Sequence, residues 1–60
     1  MNAMEVQTHA QKLYAAHGAK ALAEAADKVR QFEKTGDTLQ VKDWRQIEAA
    51  LRNLKGPVAS

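Results

Sequence analysis

The chain has 60 residues, 45% of them hydrophobic and 27% charged, with a formal net charge of +2 and no cysteine. That length allows one domain with a small core, and the lack of cysteine excludes disulfide staples and thiolate metal sites. The interspersed acids and bases read as a solvated surface rather than a polyanion footprint; with no apolar run near the ~18 residues of a bilayer span and no secretory-signal pattern, a cytoplasmic setting is expected.

Met1-Asn2-Ala3 precede a second methionine, Met4, which leaves two candidate starts, and no function is assigned to these residues. A first helix is expected from about Ala3 to Ala16. Asn2 can cap it, and Glu5 stands three positions on, where a capping box places a carboxylate. Val6, Ala10, Leu13 and His17 recur at spacings of four, three and four and so share one face. Tyr14 lies beside that stripe, at a boundary that suits its hydroxyl.

His17-Gly18 is a candidate break, because glycine inside a helix costs about 1 kcal/mol relative to alanine. The next apolar stripe, Leu22, Ala25, Val29 and Phe32, is turned by roughly 120° from the first at 100° per residue. A bend at Gly18 would let both stripes face one core. A straight helix would instead bury one half within the monomer and the other across a dimer. A second helix is expected over about 19–35. Alanines recur at every fourth position along this stretch (Ala15, Ala19 and Ala23; Ala21 and Ala25), a spacing that permits close helix approach or simply reflects helix propensity. Glu24 with Lys28 and Asp27 with Arg30 are spaced as ion pairs along its exposed face.

Gly36-Asp37 should end this helix and start another. Glycine accepts the left-handed conformation beyond a helix end without a Cβ penalty, and Asp37 is a good N-cap with Gln40 in the capping-box position. So short a link makes the flanking helices an antiparallel hairpin and brings Phe32 toward Trp44. The third helix is expected over about 38–55, with Trp44, Ile47, Leu51 and Leu54 forming the cleanest apolar seam in the chain. Gly56-Pro57 is a stop signal, and 56–60 read as a tail.

The order of these features resembles a group of small alphaproteobacterial helical proteins of unassigned function. Their pattern is a helix ending in His-Gly (here His17-Gly18), an alanine-containing helix, a Gly-Asp turn (Gly36-Asp37), and a helix with Trp a few residues in (Trp44). The likeness covers about Ala10 to Leu54. It implies helix–turn–helix packing and a bacterial cytosolic setting, and it implies no reaction or ligand.

The residues themselves offer little chemistry. His9 and His17 lie two turns apart and about 80° around the helix, too far to share a metal ion. Glu5 with His9 lacks a third ligand, so no metal or cofactor is expected. His17 is best placed to bond the last carbonyls of its helix. No nucleophile stands near an oriented base, and no glycine-rich phosphate loop is present, which argues against an enzyme. Lys42, Arg45 and Arg52 form the only basic stripe, opposite the Trp44–Leu54 seam, and could contact phosphates. Glu48, in register with Arg52, points instead to a solvated face.

The expectation is therefore an all-α fold of two to three helices with an antiparallel hairpin. Its core and interaction residues are Leu13, Leu22, Val29, Phe32, Trp44, Ile47, Leu51 and Leu54. Few of the apolar side chains are large, and a domain this small has only a few kcal/mol in hand. A homodimer completing a small bundle is expected, serving as a non-catalytic interaction or structural protein that pairs with itself or another helical protein. The alternative is a small nucleic-acid-associated regulator using Lys42, Arg45 and Arg52.

Overall fold

A computed structural model describes residues 1–54. Three helices run in order: α1 (Ala3–His17), α2 (Lys20–Thr35) and α3 (Thr38–Leu54). Among the described residues there is no strand, and no helix is long and apolar enough to cross a membrane. The expected last turn at Lys55, the Gly56-Pro57 stop and the tail lie outside the described residues.

Local chemistry sets each helix end. At the start of α1, the Glu5 backbone N–H donates to Asn2 Oδ1 (2.8 Å) and the Asn2 N–H donates to Glu5 Oε1 (3.0 Å). This is the reciprocal capping box expected from the sequence, and it satisfies two backbone donors at the helix start. At Gly18 the backbone takes φ 62 and ψ −137, close to the first central position of a type II′ turn, which only glycine adopts readily. The chain breaks there rather than kinking. The Gly18 N–H still closes α1 on the Tyr14 carbonyl (2.8 Å), while the Gly18 carbonyl accepts from the Ala21 N–H (3.0 Å) at the start of α2.

The second turn uses different geometry. Gly36 is left-handed, with φ 76 and ψ 18. Its N–H donates to Glu33 O (3.2 Å), and the Asp37 N–H donates to Phe32 O (3.0 Å). This pair of bonds is a Schellman closure, which satisfies carbonyls orphaned at the helix end. Asp37 then caps α3, accepting from the Gln40 N–H on Oδ1 (3.2 Å). Among the described residues Gln40 sends no bond back, so one half of the expected capping box forms. The result is the antiparallel α2–α3 hairpin, with α1 laid across both.

The break at Gly18 is what lets a single core form. Val6 and Ala10 of α1, Ala21 and Ala25 of α2, and Ile47, Ala50 and Leu51 of α3 make one buried cluster. Leu13, Leu22, Trp44 and Leu54 pack against it from its edges, half-buried. Of the expected core residues, Val29, Ile47 and Leu51 are buried, and Leu13, Leu22, Phe32, Trp44 and Leu54 are only half-buried. The physical reason lies in α2, which turns its alanines inward: Ala21 and Ala25 have no exposed surface. Small side chains let α2 approach closely, and the larger Leu22 and Phe32 are carried to the rim. Ala15, Ala19 and Ala23 are exposed, so in them the same spacing reflects helix propensity alone.

Two glycine substitutions separate backbone strain from packing. A Cβ added at Gly18 or Gly36 would meet no atom within 4 Å, so any cost comes from φ. We expect Gly36→Ala to cost about 1 kcal/mol, the usual penalty of a left-handed alanine. Gly18→Ala, in a region more nearly reserved for glycine, should cost up to about 3 kcal/mol. Urea unfolding followed by circular dichroism measures both.

Candidate functional site

A groove of about 360 Å³ opens where the three helices meet on one side of the molecule, lined by Leu13 and His17 of α1, Glu24, Asp27, Lys28 and Gln31 of α2, and Trp44 of α3. Leu13 and Trp44 belong to the edge of the core, so the apolar floor is held by the same packing that folds the chain. The walls come from α2, whose Glu24, Lys28, Gln31 and Asp27 run along the flank of the helix beside its buried Ala21–Ala25 face.

Trp44 is half-buried. Its aromatic partner is His9, with ring centroids 5.6 Å apart and planes at 75°. That edge-to-face contact corrects the sequence reading, which brought Phe32 to Trp44 across the Gly36-Asp37 turn. Phe32 sits half-buried outside the buried cluster. His9 is one turn from Leu13, and that spacing was the available signal for its position at the edge of the α1 stripe.

The charges around the groove are also rearranged. His17 does not turn back onto the end of its own helix. Its Nδ1 lies 3.4 Å from Glu24 Oε2, across the break at Gly18. The expected Glu24–Lys28 pair is not among the ion pairs of the described residues. Lys28 is exposed at the groove. The other expected pair on α2 does form, Arg30 Nη1 lying 3.5 Å from Asp27 Oδ1, with both side chains about three-quarters exposed (74% each).

The basic residues of α3 do not stand as a free stripe. Arg45 donates through Nη2 to Glu33 Oε2 at 2.7 Å, joining α3 to the end of α2. Arg52 donates to Glu48 Oε2 at 3.2 Å within α3. Both pairs are exposed enough that each is worth at most about 1 kcal/mol, but each places a carboxylate where a phosphate would have to bind. Lys42 makes no ion pair among the described residues, and with Arg45 it borders a shallow, largely apolar depression over Val41 and Ala49. A further depression at the start of α1 is walled by Met1 and Met4. The terminal ammonium there lies 3.4 Å from Asp43 Oδ1. Among the described residues no three His, Asp or Glu side chains stand close enough to hold a metal ion.

Comparison with protein families, curated proteins and solved structures finds no match to this chain.

The His9–Trp44 contact is separable from the core. We expect His9→Ala to cost about 0.5–1.5 kcal/mol, the usual worth of such a ring pair, and to change the emission of Trp44, the only tryptophan. Urea unfolding followed by fluorescence reads both effects.

Proposed function

We propose that this chain is a non-catalytic helical interaction protein that pairs with itself. The observation that carries this reading is the composition of the core. Among the described residues, half of the eight buried apolar side chains are alanines, and only Ile47 and Leu51 are large side chains almost wholly removed from water. Meanwhile Trp44, Leu13, Leu22 and Leu54 remain half-buried at its edge. Burial is worth about 25 cal/mol per Å² of apolar surface. A second chain laid over that edge would therefore add what the monomer lacks, as small domains commonly arrange. Another helical protein offering a similar apolar face is the next occupant to consider. The cytoplasmic setting and the alphaproteobacterial likeness drawn from the sequence pattern belong to the same proposal.

The alternative of a nucleic-acid regulator has less support. Two of the three basic residues it needs, Arg45 and Arg52, are engaged with Glu33 and Glu48, which leaves Lys42 to provide counterion release by itself. We expect no salt-dependent retention of DNA or RNA at low ionic strength. Tight binding that weakens when Lys42, Arg45 and Arg52 are neutralised would establish the alternative.

Sedimentation equilibrium across low to tens of micromolar tests self-association. A dimer is expected, with thermal stability that rises with concentration. A monomer of unchanged stability over the whole range overturns the reading.

A further inference from the structure

We infer that the self-association proposed above uses the Trp44 groove, and that its occupant is the same face of a second copy related by a twofold axis. The inference rests on the proposed self-association and adds the surface and its registration.

Glu24 and Lys28 stand one helical turn apart on the groove wall, spaced for an intrahelical pair that the described structure does not make. A twofold axis running beside α2 at the level of Ala26 sets two α2 helices antiparallel. Residue 24 of one copy then lies opposite residue 28 of the other, and the axis repeats the relation. Each Lys28 meets a Glu24 from the second copy, so two interchain pairs come from one spacing. This is the self-complementarity that a twofold interface requires.

The groove mixes carboxylates with Lys28 and His17. A small cation would find Lys28 in the way, and a polyanion would face Glu24 and Asp27. A surface carrying the same mixture in reverse order satisfies both signs. Leu13 and Trp44 are large apolar side chains left half-buried at the groove, and the helix of the second copy would cover them.

Charge reversal tests the registration. Lys28→Glu alone and Glu24→Lys alone each set like charges opposite one another, and each should weaken the dimer about tenfold or more in sedimentation equilibrium at low salt. In an equal mixture of the two variants, one chain presents carboxylates at both positions and the other presents lysines at both. Opposite charges then face each other throughout, and association should be restored. The double variant Glu24→Lys/Lys28→Glu should restore it as a homodimer. Circular dichroism on each variant checks folding, since Glu24→Lys also removes the His17 contact. Lys28→Glu leaves the His17–Glu24 contact in place, so its weakening of the dimer still tests the registration where Glu24→Lys is unstable. Trp44 emission should shift to the blue on dimerisation and follow the same order. If the wild type dimerises and the reversals change nothing, or if mixing restores nothing, the groove is not the interface, while self-association stands. If the wild type is monomeric throughout, both proposals fall.

Discussion

Ile47 and Leu51, one turn apart on α3, meet a floor made mostly of alanine, and the rest of the molecule depends on that contact. Ala10, Ala21, Ala25 and Ala50 are buried around them, and small side chains let three short helices come close enough to exclude water. The arrangement gains close packing but little area. Fully burying a leucine or isoleucine stabilises by about 1.5–3 kcal/mol, while ordering each residue costs about 1–2 kcal/mol in backbone entropy. A core with two such residues leaves a narrow margin, so features that would be incidental in a larger domain matter here.

The helix ends are the clearest of these features. The three helices meet at two junctions of two residues each, and the junctions are chemically unlike. Gly36-Asp37 is a closure in which a left-handed glycine satisfies the carbonyls of α2 and an aspartate caps α3. Gly18-Ala19 is a reversal that only glycine makes readily, and α2 begins there without a side-chain cap. Its consequence is larger, because it rotates Val6 and Ala10 onto the same core as Ala21 and Ala25. His17 and Glu24 then meet across it, although their exposure, 46% and 45%, keeps that contact weak in energy. Both Glu24 and Lys28 line the groove, and Lys28 makes no ion pair among the described residues.

The groove around Trp44 follows from the same constraint. A core filled with alanine cannot enclose every large side chain, and the indole and Leu13 are held at its edge. His9 covers part of the indole from α1, while α2 adds a wall of mixed charge. A weak monomeric core and a half-apolar surface beside it have one origin, and this links the fold to the proposed pairing of two chains.

Much of this architecture was legible in the residues. The capping box at Asn2 and Glu5, the break at Gly18, the turn at Gly36-Asp37 and the seam from Trp44 to Leu54 are local patterns, and local backbone chemistry decides them. The order and approximate ends of the helices followed. What the sequence could not determine was rotation about each helix axis and the partner of each long side chain. Ala21 rather than Leu22 faces the core, His9 rather than Phe32 meets Trp44, and Glu24 turns to His17 rather than Lys28. Each depends on how close the helices approach and at what angle, which is set jointly by every side chain in the contact. Spacing along one helix names the candidates for a face, and only the packing of three helices chooses among them.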